Sequence, residues 1–241
     1  MSEITKETVK MTINGKEIEL PSDMTILEAA RHVGVPIPTL CFSESVTQYG
    51  ACRFCTVEVT KRGRKKYVVA CLHPVGDLEV RTDTEEIRQA RKTLLEFYLA
   101  RSPQAPELLE LYREYGGGDS APFSIVDNHG EDNCILCGLC ARVCDEIVGA
   151  AAVGFAGRGI KKEVAPGMLR ASDKCIGCGT CVYVCPTDSI RVADINSVYS
   201  EHKWPNELSH RHCRACAGIH VEPEFFKELE VLVQVPKGSE Q

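Results

Sequence analysis

The groups with the most chemistry in this chain are its 14 cysteines among 241 residues, and they are clustered rather than scattered. Cys41, Cys52, Cys55 and Cys71 form a loose set. Cys134, Cys137, Cys140 and Cys144 form a tight one, Cys175, Cys178, Cys181 and Cys185 repeat its spacing, and Cys213 and Cys216 stand apart as a pair. Thiols at short repeated gaps serve either disulfide stapling or metal ligation. A disulfide-stapled secreted scaffold is shorter and denser in cysteine, and the start of this chain, Met1-Ser2-Glu3-Ile4-Thr5-Lys6-Glu7, has no apolar stretch of the kind that directs secretion. A reducing compartment, the cytoplasm, is therefore expected, with the thiols acting as ligands.

The two tight sets read C-x2-C-x2-C-x3-C, and Pro186 follows the last cysteine of the second of them. Two-residue gaps let a tight loop turn successive sulfurs toward one centre. This is the bacterial ferredoxin run, in which three thiolates hold one [4Fe-4S] cluster and the fourth ligates the other cluster. Crossing gives Cys134, Cys137, Cys140 and Cys185 to one cluster and Cys144, Cys175, Cys178 and Cys181 to the second. Zinc sites usually place pairs of ligands either side of a longer arm, whereas here four thiols fall within eleven residues. Gly138, Gly177 and Gly179 suit such loops because they adopt positive φ freely. Asp145 follows Cys144 where simple ferredoxins have proline, which points away from a free-standing small ferredoxin.

The elements around the loose set, C-x10-C-x2-C-x15-C, must position its four sulfurs. Val9 to Leu20 alternates around Asn14-Gly15, a strong hairpin signal. Thr25-Ile26-Leu27-Glu28 is a capping box that opens an apolar-periodic helix through Ile26, Leu27, Ala30 and Val33, ending at Gly34 and Pro36. A cysteine-bearing loop follows, then strands over Thr56 to Thr60 and Tyr67 to Cys71. Hairpin, helix, ligand loop and return strands make a β-grasp, the architecture of plant-type ferredoxins, with Cys41, Cys52, Cys55 and Cys71 as ligands of a [2Fe-2S] cluster. Plant-type ferredoxins place four residues in the first gap; here there are ten.

The predicted fold is α+β in four parts: a β-grasp domain over 1–82, a helical spacer and Gly-rich linker over 83–130, a two-[4Fe-4S] ferredoxin domain over 131–195, and an extension over 196–241. The spacer reads as two helices, Thr84 to Arg101 with Ile87, Leu94, Leu95 and Tyr98 on one side, and Pro106 to Tyr115 ending in Gly116-Gly117-Gly118. A net charge of −6 argues against a nucleic-acid binder. The longest stretch free of charged residues, Cys175 to Thr187, is thirteen residues long, short of the roughly 20 that span a bilayer, so direct membrane insertion is not expected.

Pro38-Thr39-Leu40-Cys41 opening the x10, x2, x15 spacing, the segment from Gly50 to Val59, the run from Cys134 to Ile147 and Ala156-Gly157-Arg158-Gly159 together resemble one family over roughly residues 9 to 195. It is the small diaphorase subunit of NAD-linked bidirectional hydrogenases, similar also to the N-terminal region of the large iron-sulfur subunit of complex I and of multi-cluster iron-only hydrogenases. Fuller members carry an extra [4Fe-4S] cluster, held by one histidine and three cysteines, between these domains. Here Thr84 to Tyr115 has neither Cys nor His, so that cluster is not expected.

The resemblance implies an electron-transfer subunit between an NAD(P)-linked flavoprotein subunit and a second catalytic redox subunit, of hydrogenase, formate dehydrogenase or bifurcating type, with a soluble ferredoxin as a further partner. No substrate-converting site is expected on this chain alone: it has no Walker motif, and Gly154-Phe155-Ala156-Gly157-Arg158-Gly159 lacks the dinucleotide pattern. Two other readings are a redox sensor or scaffold, and the iron-sulfur subunit of a quinone reductase, whose first cysteine gap is shorter. Cys213 and Cys216, with His210 and His212, are read as an extra zinc or iron site, as half of a site shared with a partner, or as a free thiol pair. Lys61-Arg62-Gly63-Arg64-Lys65-Lys66 is read as a solvated hairpin tip, His73 and His129 as loop histidines beside complete thiol sets, and Trp204 as packing the extension onto a neighbour.

Overall fold

Asn14 (φ 49°) and Gly15 (φ 83°) make the tight turn expected of them. They join β1 (Thr8–Ile13) to β2 (Lys16–Pro21) as an antiparallel pair with Met11 opposite Ile18. Two successive positive φ values match the twist of the strands they connect. The computed structural model describes residues 8–123, 133–166 and 175–190, and the chain divides into two compact units, Met1–Cys137 and Gly138–Gln241.

In the first unit α1 (Ile26–His32) begins at the expected capping box. The Thr25 hydroxyl accepts from the Glu28 N–H (3.3 Å), while the Glu28 carboxylate accepts from the Thr25 N–H (2.7 Å). Strands β3 (Thr56–Lys61) and β4 (Arg64–Val69) pair with Thr56 opposite Val69. β4 starts three residues before the predicted Tyr67, because Arg64, Lys65 and Lys66 belong to the strand and only Arg62 and Gly63 turn. The basic residues lie on the edge strand of the sheet, where exposed charge discourages pairing with another chain.

A fifth strand, β5 (Glu79–Arg81), runs parallel to β1 and antiparallel to β3, completing the order β2-β1-β5-β3-β4. Nothing in the sequence marks it, since three residues carry no periodicity. Met11, Ile13, Ile26, Leu27, Ala30, Val57, Val59 and Val80 form the core of this sheet and its helix.

The spacer helices follow: α2 (Glu85–Arg101), N-capped by Thr84, and α3 (Pro106–Glu114), with proline in its first turn. α2 packs against α3 and β3. Its buried row is Ile87, Arg91, Leu95 and Leu99, with the predicted Leu94 and Tyr98 half-buried beside it. The row at four-residue spacing thus admits an arginine.

In the second unit α4 (Leu139–Arg142) leads into a π-helical turn over Val143–Ile147. Strands β6 (Val153–Ala156) and β7 (Glu163–Pro166) form an antiparallel pair, and α5 (Thr180–Tyr183) packs on α4. Among the described residues no helix is long and apolar enough to cross a membrane.

Candidate metal centres

Cys41, Cys52, Cys55 and Cys71 are all buried, at 1–3% exposure. Cys41 and Cys52 lie in the loop after α1, and the Cys52 N–H donates to the Cys41 sulfur (3.4 Å). Cys55 immediately precedes β3 and Cys71 closely follows β4, so the hairpin register that sets Thr56 opposite Val69 brings both to one end of the sheet. The thiols interact in two pairs. Cys52 hydrogen-bonds to Cys41 and is pushed well above the ordinary thiol range by that bond and by burial. Cys71 hydrogen-bonds to Cys55 and is pushed up likewise, while that bond brings Cys55 down to about 7. Two neighbouring pairs suit a two-iron core in which each iron takes two thiolates.

Helix α2 secures this loop. The Tyr98 hydroxyl donates to the Cys52 carbonyl (2.8 Å), and the Arg91 guanidinium donates to the carbonyls of Phe54 (3.1 Å), Thr56 (3.2 Å) and Thr82 (3.1 Å). Sequence reasoning missed both residues as contributors to the site. The available signal was an arginine four residues from Ile87 on one side and from Leu95 on the other, inside an apolar row.

The second unit gathers Cys144 with Cys175, Cys178 and Cys181. Burial raises the Cys175 thiol, and the charges of Cys144 and Cys178 add to that effect. Cys181 is pushed up to about 12 by burial, then by Cys178, Cys175 and Cys144. The Cys144 sulfur accepts from the Ala152 N–H (3.2 Å), and the Thr180 hydroxyl lies 3.2 Å from the Cys178 sulfur.

Cys134 and Cys137 close the first unit, while Cys140 and Cys185 lie in the second. The Cys134 sulfur accepts from the Leu136 N–H (3.4 Å), and the Cys185 sulfur accepts from the Ser189 N–H (3.3 Å). The two cysteine runs share a backbone pattern: Leu136 (φ 56°) and Gly138 (φ 75°) in one correspond to Gly177 (φ 66°) and Gly179 (φ 68°) in the other. The expected glycines are there, and Leu136 takes a left-handed conformation that its residue type does not advertise. His73 is placed with its Nδ1 2.8 Å from the Pro74 carbonyl oxygen. His129, Trp204, His210, His212, Cys213 and Cys216 lie outside the described residues. Among the described residues no three His, Cys, Asp or Glu side chains close on a single metal ion.

Residues 6–85 match the family of 2Fe-2S iron-sulfur cluster binding domains, and residues 128–192 match a 4Fe-4S dicluster domain family. The chain thus carries a 2Fe-2S domain and a 4Fe-4S dicluster domain. A second 4Fe-4S dicluster family matches residues 167–219, a range that includes Cys213 and Cys216. The chain is 31% identical over 192 residues to a subunit of the NADH-quinone oxidoreductase of Rhizobium meliloti, covering 68% of this chain and 22% of that one. It is 33% identical over 172 residues to the alpha subunit of NADPH-Fe(3+) oxidoreductase of Geobacter sulfurreducens, covering 63% and 20%. The chain thus spans about a fifth of the length of these curated relatives. Among solved structures it resembles a chain of an NAD+-reducing [NiFe]-hydrogenase in the H2-reduced state, at 27% identity and a TM-score of 0.58, covering 66% of this chain and 75% of the other.

A hydrogen bond to a cluster thiolate stabilises the reduced state and raises the potential. Replacing Thr180 by the near-isosteric valine removes the hydroxyl beside Cys178. With Cys178 expected as a [4Fe-4S] ligand, the result is a fall of roughly 20 to 60 mV in one [4Fe-4S] midpoint, the one-electron equivalent of about 0.5–1.5 kcal/mol, read by EPR-monitored redox titration.

Proposed function

We propose that this chain is the electron-transfer subunit of a multi-subunit, cytoplasmic NAD(P)-linked oxidoreductase. Cys41, Cys52, Cys55 and Cys71 hold a [2Fe-2S] cluster. Cys134, Cys137, Cys140 and Cys185 hold one [4Fe-4S] cluster, and Cys144, Cys175, Cys178 and Cys181 the other. The observation that best supports this is the gathering of Cys144 with the cysteines of the following run, the exchange that a two-cluster ferredoxin domain requires. The functional divisions are the [2Fe-2S] domain over 1–82, the spacer over 83–130, the dicluster domain over 131–195 and the extension over 196–241, whose Cys213 and Cys216, with His210 and His212, stay open between an extra metal site, half of a shared site and a free thiol pair.

When bound, such clusters pass one electron at a time, whereas NADH yields two as hydride, so a flavoprotein partner must divide the pair. The chain's residues bury the thiols of Cys41, Cys52, Cys55 and Cys71, donate backbone N–H groups to several of the sulfurs and fix the loops that carry them. The second partner is a catalytic redox subunit, with a soluble ferredoxin as an alternative donor or acceptor. The similarity to subunits of an NADH-linked and an NADPH-linked oxidoreductase supports this reading.

The test uses the native complex purified through this subunit. NADH or NADPH is expected to reduce its [2Fe-2S] and [4Fe-4S] EPR signals within the turnover time, while the separated holo-chain stays oxidised with either nucleotide. A complex that contains a flavoprotein, yet leaves these clusters oxidised, would instead favour the sensor reading.

A further inference from the structure

Arg91 is 3% exposed, an uncommon burial for a guanidinium side chain. It occupies the middle of the buried row of α2, between Ile87 and Leu95. Three backbone carbonyls accept from it: Phe54 (3.1 Å), Thr56 (3.2 Å) and Thr82 (3.1 Å). Phe54 and Thr56 are the residues on either side of Cys55. The carboxylate in ion-pair range is Asp83, 3.9 Å away and 54% exposed, so solvent weakens the charge it cancels. The Tyr115 ring stands 6.0 Å from the guanidinium carbon.

A staple between a helix and a loop needs hydrogen-bond donors but not a permanent charge. Neutral donors in the same protein do this work, as when the Tyr98 hydroxyl holds the Cys52 carbonyl. A cation fixed at both shoulders of Cys55 has an additional consequence. Reduction of a cluster adds one negative charge, and a nearby positive charge in a low-dielectric interior favours that state.

We propose that Arg91 is a positioning residue that raises the reduction potential of the [2Fe-2S] site, acting from a helix that carries none of its ligands. The inference rests on the assignment of Cys41, Cys52, Cys55 and Cys71 as ligands. It gives the cysteine-free spacer a role in the redox chemistry, since α2 supplies the charge that matches this site to its electron donor.

The test compares holo-proteins carrying Arg91→Met, Arg91→Lys and Asp83→Asn with the wild type by EPR-monitored redox titration, alongside iron content and the [4Fe-4S] signals. At a fixed ambient potential Arg91→Met is expected to lower the reduced-to-oxidised ratio of the [2Fe-2S] site roughly tenfold, about 59 mV for a one-electron couple. Arg91→Lys keeps the charge but loses the fork of donors, so it should stay within about threefold of wild type while melting earlier. Asp83→Asn removes the partial offset and should move the ratio the other way. A loaded Arg91→Met protein with a wild-type midpoint overturns the inference. Should that variant fail to load, an Asp83→Asn midpoint that stays put or falls overturns it equally. A wild-type protein with no [2Fe-2S] signal removes the ligand assignment itself, and the inference with it.

Discussion

Replacing Cys144 by alanine will abolish the same [4Fe-4S] signal as replacing Cys175, and replacing Cys185 will abolish the one that also depends on Cys134. Each change is expected to cost roughly two-fifths of the iron, four atoms of the ten in two cubanes and one two-iron core, with the [2Fe-2S] spectrum retained. The first expectation follows from where the Cys144 sulfur sits, the second from the repeated thiol spacing. Cys144 lies in the π-helical turn over Val143–Ile147, and it influences the thiols of Cys175 and Cys181, 31 and 37 residues further along the chain. Cys185 is only four residues beyond Cys181, yet Val182 to Val184 carry it past the end of α5, where its sulfur meets the Ser189 N–H. If each run instead held its own cluster, Cys144→Ala would match Cys134→Ala and leave the Cys175 cluster intact. Iron analysis with EPR of the four single variants separates the two patterns.

The parts of this protein legible in its sequence are those governed by near neighbours along the chain. The Asn14-Gly15 turn, the Thr25 and Glu28 cap and the bounds of α2 and α3 each depend on residues within a few positions, and each forms as expected. Thiol spacing is informative for the same reason, because a two-residue gap restricts how a loop can turn. Strand β5 is different: its three residues are a strand only because β1 and β3, distant in sequence, accept it between them. Arg91 was hidden by a rule that places arginine on solvent-facing surfaces. It is overridden here by three carbonyls that come from a loop, a strand and the approach to the helix. Leu136 was hidden because its left-handed backbone is a property of the ligand loop and not of leucine. In each case the missing information was the tertiary partner.

The second large effect is expected from Leu95→Ala, at a position far from any cysteine in sequence. Leu95 is fully buried in the row with Ile87 and Leu99, and truncating such a leucine costs about 2–5 kcal/mol through lost transfer energy and the cavity left behind. For a unit whose stability is on the order of 5–15 kcal/mol this is a large fraction. The loss should also reach the iron. α2 holds the ligand loop at two points, through Tyr98 to the Cys52 carbonyl and through Arg91 to the carbonyls of Phe54 and Thr56. A helix that opens more often releases both clamps together and admits water to four thiolates that are otherwise buried. The [2Fe-2S] absorbance and circular dichroism of Leu95→Ala should therefore bleach at a lower temperature than in wild type, and faster in the presence of an iron chelator. Half-buried Leu94 supplies the comparison, since Leu94→Ala should move the bleaching temperature much less. A destabilised Leu95→Ala protein that kept its [2Fe-2S] cluster as long as wild type would show that the ligand loop holds its shape without α2, and that the two clamps are incidental to it.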